Sequence, residues 1–185
     1  MNVMSTQKTV RQQYDTVEGS DALRLDTDKA EQIVSALNTD IANAYVLYHQ
    51  LKKHHWNVEG AEFNDVHVFL QEAYETLEKG ADEIAERAGA IGGVPVAGPA
   101  NIEEHATIEF EGKDVHDIRT SLANDMAAYG DIIEGMREST QLAANLGDPT
   151  TEHLLKENLI EIEEDAHHIE HYLEDDTLVV ESAVN

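Results

Sequence analysis

A chain of 185 residues, 41% apolar and 5% aromatic, can bury one sizeable core, and three prolines with glycines gathered near expected helix ends favour helices over a sandwich of strands. The absence of cysteine excludes disulfides, thiolate zinc sites and cysteine nucleophiles. Thirty-eight acids against 12 lysines and arginines leave a net charge of −26, which repels nucleic acid and anionic membranes and attracts cations; a solvated surface suited to high salt accounts for most of these acids, so a cation-binding role has to rest on particular ones.

Residues 1–27 show no helical periodicity and are expected to form a flexible tail. They hold no apolar run of signal-peptide length, and no segment approaches the roughly 20 apolar residues of a spanning helix, so a cytoplasmic protein without membrane contact is expected. A bundle is expected over 28–175, with a C-terminal tail at 176–185. The first helix is predicted from Lys29 to Asn57, with Asp28 as N-cap and Glu31 three residues on. Its apolar stripe includes Ile33, Leu37, Ile41, Leu47 and Leu51, and Gly60 marks the turn that follows. The second runs from Asn64 to Ala90 and stops at Gly92-Gly93, with Pro95 beyond. A connection over 91–113 leaves room for a short helix at 102–105. The third helix is predicted from near Asp114 to just before Gly147, on Ile118, Leu122, Met126, Tyr129, Ile133 and Met136. Asp148-Pro149 pairs an N-cap with a first-turn proline and opens the fourth helix, striped by Leu155, Leu159, Ile162, Ala166, Ile169 and Leu173. The result is an all-α chain, and two helical hairpins joined by one long crossover make the ferritin-like four-helix arrangement.

The second helix carries the chemistry. At about 100° per residue, His67, Gln71, Glu75, Glu78, Asp82 and Glu86 share one stripe about 100° wide. Such a stripe faces solvent, another subunit or metal. His55, near the end of the first helix, is brought level with His67 by the turn at Gly60. Two imidazoles with carboxylates suit Fe(II) and similar divalent ions. His67 and Asp82 stand roughly 22 Å apart along one helix, too far to share an ion within one chain. An antiparallel two-fold pairing of this helix with its symmetry mate sets His67 of one chain opposite Asp82 and Glu86 of the other. Glu164-x-x-His167 matches half of an intra-bundle di-iron pattern and lacks a second copy. His168 and His171 lie among acids, as lining for an ion path or as an exposed helical face.

The run Lys53-His54-His55-Trp56-Asn57-Val58-x-Gly60-x-x-Phe63-x-x-x-His67, then Asp82-Glu83-Ile84-Ala85-Glu86-Arg87, then Gly92-Gly93 before a proline, resembles the signature of the Dps family of ferritin-like proteins. The heavy acidity resembles the Dps of a halophile. The resemblance covers residues 29–175 in architecture and 53–95 in motif. It implies a dodecameric shell of tetrahedral symmetry and a ferroxidase that oxidises Fe(II) with hydrogen peroxide or oxygen. Ferric oxide would then be stored as a mineral core, with no organic cofactor, protecting the cell and its DNA. His55 and His67 would come from one subunit, Asp82 and Glu86 from its partner. Trp56 would lie beside the site, to take up stray oxidising equivalents or to pack at the dimer contact. Glu75 and Glu78 are candidates for ferric nucleation on the inner surface. Gln71 stands where the family often has an aspartate, which implies a weak second iron. The alternative is a DNA-compacting structural protein. Family members that bind DNA use a lysine-rich tail, whereas residues 1–27 hold only Lys8, Arg11 and Arg24 against Asp15, Glu18, Asp21 and Asp26, so DNA binding is expected to be weak or absent.

Overall fold

The computed structural model describes residues 9–174; the expected C-terminal tail and the first eight residues of the N-terminal one lie outside them. The described residues form helices and no strand: α1 (Thr27–Asn57), α2 (Phe63–Ala90), the short α3 (Pro99–His105), α4 (Ile118–Leu146) and α5 (Pro149–Leu173). α1 and α2 pack as one hairpin, α4 and α5 as the other; α1 lies against α4, α2 against α5, and α3 rests on α1. This is the all-α, ferritin-like bundle with one long crossover, and the short helix in the crossover is present.

The apolar stripes meet in one core. Ile33, Leu37, Ile41, Leu47 and Leu51 of α1 close on Leu70, Ala73, Leu77 and Ile84 of α2, Tyr129 and Ile132 of α4, and Leu155, Ile162 and Ile169 of α5. At roughly 1.5–3 kcal/mol for each large side chain fully withdrawn from water, this interlocked set is what closes the bundle. Met126, placed on the core stripe by its spacing, is 37% exposed.

Two helix starts differ from expectation. α1 opens at Thr27 behind Asp26, not behind Asp28, and Asp26 makes no side-chain cap; its carbonyl instead accepts from Ala30 N. α4 opens at Ile118, not near Asp114, because Asp117 accepts from both the backbone N–H and the hydroxyl of Thr120. Asp148 caps α5 as expected, accepting from Thr151 N at 3.1 Å, and Gly147 takes the left-handed conformation that ends α4.

Polar side chains on α1 hold the crossover, whose backbone would otherwise lie partly buried without partners. Asn38 accepts from Val96 N and donates to the Val94 carbonyl, Asn43 accepts from Thr107 N, and Gln50 accepts from Glu111 N. Residues 9–26 carry no helix. Glu18 N and the Gln12 amide both donate to the Gly92 carbonyl, at 2.9 and 2.8 Å, and the Tyr14 hydroxyl meets His105 Nε2 at 2.9 Å. Gly92 has φ +98°, and a Cβ there would stand 1.7 Å from the Glu18 carbonyl oxygen, so only glycine admits this crossing.

Candidate metal centre

His55 lies in the last turn of α1, where carbonyls have no partner within the helix. His67 lies one turn into α2, and the turn between the helices sets the two side by side. His67 Nδ1 donates to the His55 carbonyl at 3.0 Å, and His55 Nδ1 donates to the His67 carbonyl at 2.8 Å. The rings stack with centroids 3.7 Å apart. A neutral imidazole that donates from Nδ1 keeps a lone pair on Nε2. Each histidine is therefore locked by the other's backbone in the tautomer that ligates a metal through Nε2, and the locking bonds are the outer-shell contacts typical of such ligands. His55 is buried, edge-on to Tyr74 at 5.5 Å, and Phe63 stacks on His67 at 5.0 Å.

Asp82 and Glu86 sit one turn apart on an exposed face of α2. They are not brought to the histidines of their own chain. Among the described residues no group of three or more His, Asp or Glu side chains gathers in a way that could hold a metal ion. The rest of the stripe is exposed too; Gln71 donates its amide to Glu75 at 2.9 Å, and Glu78 faces outward. Trp56 is 69% exposed, with the Lys52 ammonium 6.0 Å from its ring. On α5, Glu164 is exposed, and His167 contacts Glu170 and His171, each at 3.1 Å. His168 and His171 line a shallow groove with Asp65 and Glu72 of α2.

Several neighbours of this region were not legible from spacing. Next to His55, His54 points the opposite way into a buried ionic quartet. It bonds Asp125 at 2.7 Å through Nδ1 and Glu111 at 2.6 Å through Nε2, while Lys53 holds Glu111 at 2.5 Å. Gln50 donates to Asp125 and Asn124 to Glu111. Burial alone would push His54 down, but its bonds to Asp125 and Glu111 outweigh that and draw it up. Burial would raise Glu111, yet Lys53, Asn124 and His54 together hold it at about 2. These bonds tie the last turn of α1 to the crossover and to α4. At the other end of α2, Arg87, beside Glu86, turns inward. Its guanidinium grips both oxygens of Asp148, at 2.7 and 2.8 Å, and donates to the Thr151 hydroxyl at 2.8 Å. These charge-assisted bonds, from Nη2 to Asp148 and from Nε to Thr151, tie α2 to the start of α5.

The chain is similar to several known proteins. The ferritin-like domain family matches residues 34–179. The "DNA protection during starvation protein" of Halobacterium salinarum is 67% identical over 98% of this chain and 100% of its own length. The "Nutrient stress-induced DNA-binding protein" of Synechococcus is 38% identical over 84% of this chain and 89% of its own. Among solved structures, an archaeal Dps homologue from Halobacterium salinarum superposes with a TM-score of 0.92, covering 97% of this chain and 99% of that one at 67% identity. The Dps protein of Vibrio cholerae, described as a member of a broad superfamily of ferritin-like diiron-carboxylate proteins, superposes with a TM-score of 0.80 at 26% identity, over 86% of this chain and 99% of that one. No helix among the described residues is long and apolar enough to cross a membrane.

Proposed function

Starting from the chain's membership of the Dps family of ferritin-like proteins, we propose that it is a ferroxidase and iron store whose oxidation sites are shared between two copies. One subunit contributes His55 and His67, its two-fold partner Asp82 and Glu86. The observation that carries this reading is the half-built site: two imidazoles with reciprocally fixed Nδ1 donors and free Nε2 lone pairs, and an exposed carboxylate pair too far along α2 to join them. A C2 contact of α2 with its mate makes each half the complement of the other.

Fe(II) is the substrate. Imidazole nitrogens suit Fe(II), and the carboxylates favour the ferric product because their charge offsets the added positive charge. Two Fe(II) and one hydrogen peroxide, with two protons, give two Fe(III) and two waters; oxygen is the other oxidant. Gln71, a neutral amide engaged by Glu75, makes a second iron at each site weak. Glu75 and Glu78 take the ferric product towards a ferric oxide core inside a dodecameric shell of tetrahedral symmetry. The acidic surface draws in the cation and suits a salt-rich cytoplasm. Protection of DNA then comes from removing iron and peroxide. DNA compaction, which the names of relatives bring to mind, is disfavoured by a charge of −26 per chain.

Asp82→Ala combined with Glu86→Ala, in a protein whose assembly mass is unchanged, is expected to slow peroxide-driven Fe(II) oxidation on the order of 100-fold, the scale reached when groups that stabilise developing charge are removed. Unchanged kinetics in the assembled double variant would remove the site from consideration.

A further inference from the structure

Between the two halves of the candidate centre runs a row of tyrosines. Tyr74 of α2 stands edge-on to His55 at 5.5 Å, Tyr48 of α1 edge-on to Tyr74 at 5.7 Å, and Tyr45, one turn back on α1, edge-on to Tyr48 at 6.1 Å. All three rings are half-buried against the core. Tyr45 feels the charges of Glu78 and Asp82. The row therefore begins at the imidazole half of the site and ends on a tyrosine within electrostatic reach of Asp82 of the same chain. Trp56, mostly exposed, has no ring neighbour in this row.

We infer that this row is a one-electron relay that carries an oxidising equivalent from the centre at His55 through Tyr74 and Tyr48 to Tyr45, and so to the centre that Asp82 helps to build across the two-fold axis. The inference rests on the shared-site reading above. It matters because a centre holding a single Fe(II) supplies hydrogen peroxide with one electron where two are needed. One Fe(II), one peroxide and one proton give Fe(III), water and a hydroxyl radical. That radical takes a hydrogen atom from the Tyr74 phenol, giving a second water and a tyrosyl radical. Electron transfer along the row, with protons exchanged at each phenol, restores Tyr74 and leaves the radical on Tyr45. Fe(II) at the two-fold-related centre then gives its electron, a proton returns to Tyr45, and the sum is two Fe(II), one peroxide and two protons to two Fe(III) and two waters.

Charge sets the direction. The Lys52 ammonium lies 4.6 Å from the centre of Tyr74 and 4.9 Å from that of Tyr48, and it donates to the Tyr48 hydroxyl at 3.0 Å. A cation over a ring makes electron loss from it harder, and nearby carboxylates make it easier. Tyr74 and Tyr48 are thus stepping stones and Tyr45 the resting place.

The test is freeze-quench electron paramagnetic resonance of the assembled protein after mixing with hydrogen peroxide, at Fe(II) loadings well below one per two chains and then at one per chain. A tyrosyl signal is expected at low loading, narrowed when the tyrosines are ring-deuterated, and lost at full loading because the second Fe(II) reduces it. Tyr74→Phe, which keeps the ring in place, is expected to lose the low-loading signal, Tyr45→Phe to leave a tyrosyl signal that full loading no longer removes, and Trp56→Phe to behave as the unaltered chain. Iron that is oxidised with no tyrosyl signal, a signal in the unaltered chain that is indifferent to loading, a signal that survives Tyr74→Phe, or a signal in Tyr45→Phe that full loading still removes would overturn the relay and leave the ferroxidase standing. Iron that is not oxidised at all would take both away. The deuteration and loading arms use the unaltered sequence, so a variant that failed to fold would not spare the inference.

Discussion

Asp40 should make the bundle less stable as pH rises, and Asn in its place should remove that dependence. The residue sits on α1, 3% exposed, and one of its carboxylate oxygens has no hydrogen-bond partner. Burial pushes its pKa up from 3.8 to about 7, against the smaller pull of the Ser139 hydroxyl on α4. The folded state thus holds a proton that the unfolded chain has already released. Below pH 3.8 both states are protonated and the group costs nothing. As pH climbs from 3.8 to about 7 the cost grows, and above 7 it stays constant. At 1.36 kcal/mol for each pH decade, the ionised carboxylate weakens the fold by about 4 kcal/mol at pH 8. Asparagine keeps the shape without the charge. Urea unfolding followed by circular dichroism, for both proteins at constant salt, should show Asp40→Asn gaining on the unaltered chain across pH 4 to 7, by up to about 4 kcal/mol, and then a constant gap. A gap that does not change with pH would refute the reasoning.

Two ion-pair anchors give further expectations. Arg87→Met leaves Asp148 buried without its guanidinium and should cost on the order of 3 kcal/mol in denaturant unfolding, where a loss under about 0.5 kcal/mol would show that Thr151 alone suffices. Glu111 is held low by Lys53, Asn124 and His54, so its contribution is present above the ordinary carboxylate range and is lost as pH falls towards about 2. Glu111→Gln should free the crossover from α1, seen as faster amide exchange at residues 106–117 while α2 stays protected; unchanged exchange would mean the asparagine contacts carry that segment.

The long helices were legible because each pairs a regular apolar stripe with punctuation that has one physical meaning. Gly92-Gly93, Gly147 and Asp148-Pro149 stop and start helices wherever the tertiary structure puts them. The opening of α4 was not legible. Asp114 and Asp117 both qualify as caps, and the choice falls to Asp117 because Thr120 offers it two donors. The stripe on α2 could be read from periodicity, and the closeness of His55 and His67 from the turn at Gly60. Their reciprocal bonds could not, since these depend on the depth at which the helices pack. His54 shows the limit most clearly. One residue from His55, it serves a buried network whose other members lie 57 and 71 positions away, and no local pattern links them. The tyrosine row is of the same kind: Tyr45 and Tyr48 read as one helical face, and only the packing of α2 brings Tyr74 between them and the histidines.

Subunit complementation tests the shared centre most directly. Chains carrying His55→Ala and His67→Ala are mixed, through unfolding and reassembly, with chains carrying Asp82→Ala and Glu86→Ala. Each variant alone lacks half of every centre. In a mixed two-fold pair, the histidines of one chain meet the carboxylates of the other, and one complete centre returns. Random pairing should recover about a quarter of the peroxide-driven Fe(II) oxidation of the unaltered protein. Mixed assemblies as inactive as either variant alone would contradict a site built from two subunits.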